Sequence, residues 1–147
     1  MSEKETEVRT DSSSKIVSNQ LLDKYMKEFM DDIKLTESNL REKSMMSTTI
    51  RAKWLQYLFK EYENLKKAKD YKAKILESKV KTSDRQSVLR LKSEDKISSN
   101  DERVVKLDEL ITITKSNIDY LEHVQNILHD FPWDIKNKIE LLKLERI

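Results

Sequence analysis

The sequence predicts an all-α protein, a long helical hairpin or bundle with a short C-terminal helix, oligomerising with further copies of itself. Three observations predict it: glycine is absent, proline occurs once, and apolar residues recur at intervals of three and four along most of the chain. Glycine supplies the positive φ of tight hairpin turns, so a chain without it disfavours antiparallel sheet. Cysteine is absent too, which excludes disulfides and thiolate metal sites and fits a reducing compartment. A length of 147 residues suits one domain with a modest core. No apolar run approaches the ~20 residues that cross a bilayer, and the first residues lack the apolar segment of a secretory leader. A cytoplasmic protein with no membrane partner is therefore expected.

The elements follow in order. Residues 1–18 are rich in Ser, Glu and Lys, and read as a disordered polar tail; a single α-helical domain is expected over 19–147. Leu22, Met26, Phe29 and Ile33 recur at helical spacing, so a short helix is expected from Asn19 to Lys34. Thr36 is placed to cap the next helix, with Glu37 in its first turn. That helix is predicted over about 36–82, with Ser47-Thr48-Thr49 as its weak point and Trp54, Leu58, Tyr62, Leu65, Leu76 and Val80 as its apolar stripe. Thr82-Ser83-Asp84 ends it, and Arg85 to Ser98 is a polar connector.

Ser99 or Asn100 can cap a second long helix over about 100–131, with Asp101 and Glu102 in its first turn. Two apolar seams run along it. One is Val104, Leu107, Ile111, Thr114, Ile118, Leu121, Gln125 and Leu128; the other is Leu110, Ile113, Asn117, Tyr120, Val124, Ile127 and Phe131. Two seams exceed the needs of a two-stranded coiled coil, so this helix should meet more than one neighbour. Pro132 is expected to break it, since the ring removes an N–H and crowds the preceding turn. A C-terminal helix over 133–147 remains, carrying Trp133, Ile135, Ile139, Leu142 and Leu144. A terminal apolar helix must dock on its own bundle or on another copy, and the thin core of so few helices favours self-association.

Charge is segregated beneath a net value of +2. From Arg51 to Lys81 ten basic residues face four acidic ones, whereas each flank is slightly acidic. Lys53, Lys60, Lys67, Lys74 and Lys81 recur at every seventh position, forming a row that drifts only ~20° per heptad around a helix. Such a basic helix is where an anionic partner would be expected. A solvated face accounts for part of it, because Glu63–Lys67, Asp70–Lys74 and Glu77–Lys81 are acid-first i, i+4 pairs. Lys66, Lys69, Lys72 and Lys79 have no acid four residues earlier. Trp54, Tyr57, Phe59, Tyr62 and Tyr71 interleave with these lysines. Trp54 and Tyr62 fit a core position, while stacking on unpaired bases stays open for Tyr57 and Tyr71. With no helix-turn-helix, zinc or basic-zipper signature, backbone tracking of a single strand suits the pattern better than reading a duplex.

Catalysis is not expected, and no cofactor is. Without glycine neither a Walker A loop nor a dinucleotide fingerprint can form. His123 and His129 are six apart, unlike the i, i+4 spacing that clasps a metal. The acid pairs Asp31-Asp32 and Asp101-Glu102 fall at expected helix ends, where the macrodipole offers a reason for them.

Two stretches carry a family resemblance. Ala52-Lys53-Trp54-Leu55, leading into Tyr71-Lys72-Ala73-Lys74, and Ile127-Leu128 through Trp133 and Ile139 to Lys143, resemble the UvsY recombination mediators of T4-like bacteriophages. The likeness covers roughly residues 20–147. Phe131-Pro132 stands where relatives often have an Arg-Gly turn. The resemblance implies a non-enzymatic, single-stranded-DNA-binding recombination mediator in the host cell cytoplasm. It would form a ring-like homo-oligomer, contact the phage single-strand-binding protein, and help load the phage recombinase onto coated DNA during recombination and repair. It also implies that Lys72 and Lys74 contact DNA and that the helix from Trp133 joins subunits. Resemblance and charge together give Lys53, Lys60, Lys66, Lys67, Lys72, Lys74 and Lys81 as candidate DNA contacts, and Trp133, Ile135, Ile139 and Leu142 as candidate oligomerisation residues. The competing class is a coiled-coil assembly scaffold with no nucleic-acid role.

Overall fold

The computed structural model describes the backbone of residues 20–83 and 101–146, with side chains described to Val80 and again from Asp101. The expected tail and polar connector, and the capping residues Ser99 and Asn100, lie outside the described residues. Among the described residues there are three helices and no strand: α1 is Gln20–Ile33, α2 is Leu40–Ser83 and α3 is Glu102–Glu145. The all-α expectation holds. Two compact units divide the chain, a first containing residues up to Leu58 and from Asp119 onward, and a second spanning Phe59–Ile118.

In the first unit α1 packs its Tyr25 and Phe29, both buried, against α2 and α3. Phe29 meets Trp54 edge to face at 5.4 Å and Tyr120 at 6.4 Å, and Trp54 meets Tyr57 at 5.2 Å. Edge-to-face pairing sets the positive rim of one ring on the negative face of the next, adding ~0.5–1.5 kcal/mol per pair beyond burial. Trp54, Leu121, Leu128 and Val124 are essentially sealed from solvent. Met26, a residue of the predicted α1 face, is 40% exposed, and Tyr25 takes the inward position.

Helix α2 begins later than expected. Thr36 opens a turn closed by the Asn39 N–H donating to the Thr36 carbonyl, and Asn39 is the cap: its own carbonyl accepts from Lys43 N–H at 2.9 Å. The Asn39 side chain pins the turn from both sides, Oδ1 accepting from Thr36 N–H and Nδ2 donating to the Lys34 carbonyl. Asn is as good a cap as Thr, and this one also holds the connector. Ser47-Thr48-Thr49 does not interrupt the helix; Ser47 Oγ donates back to the Ser44 carbonyl at 3.1 Å.

In the second unit α2 and α3 run antiparallel. Lys72 Nζ bonds Asp108 at 2.5 Å and Lys79 pairs with Asp101, so an advance of seven residues on α2 is a retreat of seven on α3. The inward line of α2 is Glu61, Leu65, Ala68, Lys72, Ile75 and Lys79, a run of alternating four- and three-residue steps with charged groups at three of its six places. Tyr62, expected on the apolar stripe, is instead 39% exposed. From α3, Val104, Ile111, Thr114, Asn117 and Ile118 are buried, and Thr114 satisfies its hydroxyl on the Leu110 carbonyl at 2.7 Å.

The two seams of α3 now have a physical reason. Among the described residues of the second unit it meets α2, and mainly the first seam is buried, with Leu110 of the other seam 49% exposed. Among the described residues of the first unit it meets α1 and α2, and both seams contribute: Leu121 and Leu128 from one, Val124 and Phe131 from the other. Pro132 does not end the helix, contrary to expectation. An internal proline costs ~3 kcal/mol or more, but Phe131 and Ile135, on either side of it, are 2% and 3% exposed and hold both turns in the core. The predicted separate helix over 133–147 is therefore the last part of α3.

Asp101 is the cap of α3, not a first-turn residue: Oδ1 accepts from Arg103 N–H at 2.9 Å and its carbonyl accepts from Val105 N–H. Its hydrogen bond from Lys79, the Arg103 N–H and the Arg103 guanidinium hold the carboxyl well below the ordinary carboxylate value. A depressed carboxyl stabilises the fold above the unfolded value of 3.8, and that stabilisation disappears as pH falls through the folded value. Asp101→Asn should accordingly lower the melting temperature at neutral pH. The gap to the parent should shrink progressively in melts recorded below pH 3.8. A gap that stays constant down to strongly acidic pH would show that the charge contributes nothing.

Candidate nucleic-acid interface

Successive residues of an α-helix turn through about 100°. Measured from the buried line of α2 in the second unit, Lys60, Lys67 and Lys74 lie along one solvent flank and Lys66 and Lys69 along the other, and all five are exposed. Between the flanks runs a heptad row of acids, Glu63, Asp70 and Glu77. Among the described residues the pair Lys67–Glu63, at 3.2 Å and with both side chains mostly in solvent, is closed across this boundary. Exposed pairs of this kind contribute ~0.2–1 kcal/mol and yield readily to another anion. Lys60, Lys66, Lys69 and Lys74 make no ion pair within the described residues. Among the described residues no acid pairs with these four cations.

The remaining candidate contacts are placed differently. Lys72 is turned toward α3 and held by Asp108. Lys53 belongs to the first unit, where its ammonium lies 2.6 Å from Asp32 and 3.1 Å from Glu28. Burial alone would lower the Lys53 ammonium, but those two carboxylates outweigh it and raise the group above the ordinary lysine value of 10.5. Lys81 lies in the helical backbone with its side chain outside the described residues. Thus the heptad row, continuous in sequence, is split by environment into a structural member, Lys53, and the exposed set Lys60, Lys67 and Lys74.

Asp32 is the group the sequence does not reveal. It accepts from both Lys53 and the Trp54 indole N–H, the latter at 2.8 Å. Asp31 and Asp32 stand at the C-terminal end of α1, where the macrodipole disfavours carboxylates, so the dipole does not explain them. A hydrogen-bonded indole and a half-buried ammonium explain Asp32. The available signal is the unfavourable placement itself: an acid at a helix C-terminus needs a tertiary partner. Tyr57 is tied to the same cluster, its hydroxyl donating to Glu28 at 3.0 Å and its ring 5.4 Å from Tyr25. Burial and the Glu28 carboxylate raise its phenol above the usual value.

The apolar candidates also separate. Ile135 is buried in the first unit, and Ile139 and Leu142 are half-buried beside it, whereas Trp133 is 62% exposed. Trp133, Leu141 and Leu144 share the face of α3 opposite to Ile135, and Lys136 sits 5.1 Å from the Trp133 ring. Among the described residues no group of three or more His, Cys, Asp or Glu is placed to hold a metal ion, and no helix is long and apolar enough to cross a membrane. His129 and Asp130 lie 3.3 Å apart, both exposed.

No protein-family model matches the sequence, and no curated protein matches it. The fold, however, is similar to that in the crystal structure of the bacteriophage T4 recombination mediator protein UvsY. The TM-score is 0.70 at 14% sequence identity, over 84% of this chain and 98% of the T4 protein. The chain has a UvsY-like fold.

Proposed function

We propose that this chain is a non-enzymatic recombination mediator that binds single-stranded DNA along α2 of the second unit. It helps load a phage recombinase onto DNA coated by single-strand-binding protein, and acts in the host cytoplasm as a ring-like homo-oligomer. The observation that carries this reading is the exposed cationic line Lys60, Lys67 and Lys74, with Lys66 and Lys69 on the other flank across the acid row. The likeness in fold to a recombination mediator supports it. Lys53 and Lys72 are held by carboxylates and contribute less than the open lysines; Lys81 extends the line if its side chain follows the heptad.

Three or four ammonium groups on one chain make a weak site. Several copies arranged in a ring make a multivalent one, gaining avidity without a new contact. The subunits are joined, on this proposal, through the exposed face containing Trp133. A strand held on such a ring is constrained in a shape that loosens its coat protein and favours filament nucleation. No nucleotide is consumed, since a chain without glycine has no phosphate-cradling loop.

Fluorescence anisotropy with labelled oligo-dT at two salt concentrations tests the reading. Affinity should fall steeply with salt, each phosphate contact adding ~0.7 to the log–log slope for a single strand. Lys60→Ala, Lys67→Ala and Lys74→Ala combined should weaken binding roughly ten- to hundredfold and reduce the slope by about two. Helicity and particle mass should be unchanged, because exposed substitutions move stability by only ~0.5 kcal/mol. Absence of binding by the parent at low salt would leave the scaffold reading in its place.

A further inference from the structure

The sequence leaves Tyr57 and Tyr71 equally open to stacking on bases, and the structure separates them. Tyr57 is packed against Tyr25 and Trp54 with its hydroxyl on Glu28. Tyr71 is 57% exposed and makes no hydrogen bond or ring contact within the described residues. Its neighbours one turn away are Lys67 and Lys74, both exposed, and Ala68 and Ile75, both buried. Both solvent-facing neighbours one turn away are thus cations, and the acid row of α2, Asp70 included, lies on the far side of the lysine line. Phe59 is comparably exposed, but its neighbour four residues on is Glu63, which would repel a phosphate.

We infer that Tyr71 is a base-stacking residue: an unpaired base lies on its ring while the flanking phosphates rest on Lys67 and Lys74. The inference rests on the single-stranded DNA reading above and adds to it a source of strand selectivity. Lysines alone hold single and double strands alike through phosphates. A ring can take only a base whose face is free, which a duplex does not offer, and such a contact is sequence-tolerant because every base has a π-face.

Anisotropy titrations of the full chain with oligo-dT and with a duplex of equal length decide the matter. Tyr71→Ala should lower affinity for oligo-dT roughly 5- to 100-fold and leave duplex affinity within about twofold. Tyr71→Phe, which keeps the ring and loses the hydroxyl, should bind oligo-dT like the parent. Lys67→Ala should weaken both ligands. Tyr71→Trp should give a tryptophan signal that is quenched on titration with oligo-dT, beyond the quench of the parent. Equal oligo-dT affinity of Tyr71→Ala and the parent overturns the inference while leaving the DNA-binding reading in place. So does an equal loss toward oligo-dT and duplex. A parent that binds neither ligand at low salt overturns both.

Discussion

Trp54→Ala should cost the first unit about 3–5 kcal/mol, the range for truncating a fully buried large aromatic, and chemical denaturation followed by far-ultraviolet circular dichroism would measure it. The indole is wholly removed from solvent. Its loss leaves a void between Tyr25, Phe29 and Tyr57, three rings that all contact it. It also takes away one of the two donors on Asp32, leaving that half-buried carboxylate to Lys53 alone. A native domain of this size typically has only ~5–15 kcal/mol of stability to lose, so this one substitution should remove a large fraction of it. Trp54→Phe separates the two contributions. It keeps an aromatic ring in the site but no N–H, and should cost less than alanine by the packing it restores. Asp32→Ala would strand both donors and should rank between them. A cost for Trp54→Ala below about 1 kcal/mol would mean that the cavity refills by collapse, and that the ring cluster is not what holds α1 in place.

How much of this was legible in the sequence depends on whether a position is occupied by the kind of residue its environment prefers. Helix α1 and the helical nature of α2 and α3 follow from apolar periodicity, and Trp54 and Leu58 are buried where that periodicity puts them. The stripe goes astray beyond Leu58 because the true inward line carries Glu61, Lys72 and Lys79. A search for grease passes over them and settles on Tyr62 instead. Charged residues occupy that line because α3 supplies the matching acids, Asp108 for Lys72 and Asp101 for Lys79, and no local pattern shows a partner some thirty residues away. The exposed lysines were legible as a set, since heptad spacing fixes their common direction. Their division into structural and open members was not, because it is decided by Glu28 and Asp32 on another helix. Pro132 misled for a related reason: propensity disfavours it in the helix, and the burial of Phe131 and Ile135 overrides that preference.

The same burial changes how self-association has to be tested, and it leads to the second large effect expected. Deleting the chain from Phe131 onward would remove Phe131 and Ile135 from the core of the first unit, so any fall in particle mass would report unfolding as much as lost assembly. Substituting the opposite face avoids this. Trp133, Leu141 and Leu144 are 62%, 56% and 66% exposed and contribute little to their own chain's core. Together they form an apolar strip of the kind that solvated helices avoid and subunit interfaces use. Trp133→Ser, Leu141→Ser and Leu144→Ser combined should leave the melting temperature of the isolated chain nearly unchanged and reduce the light-scattering mass to that of one chain. Affinity for oligo-dT should then fall to that of one lysine line, a loss of up to 10²–10⁴ if avidity accounts for the difference. Ile135→Asp provides the contrast, since it places a charge in the core and should unfold the first unit whatever the state of assembly. An unchanged mass after the triple substitution would place any contact between copies on another surface. The exposed methionines of the first unit, Met30 and Met45, would be the next to examine.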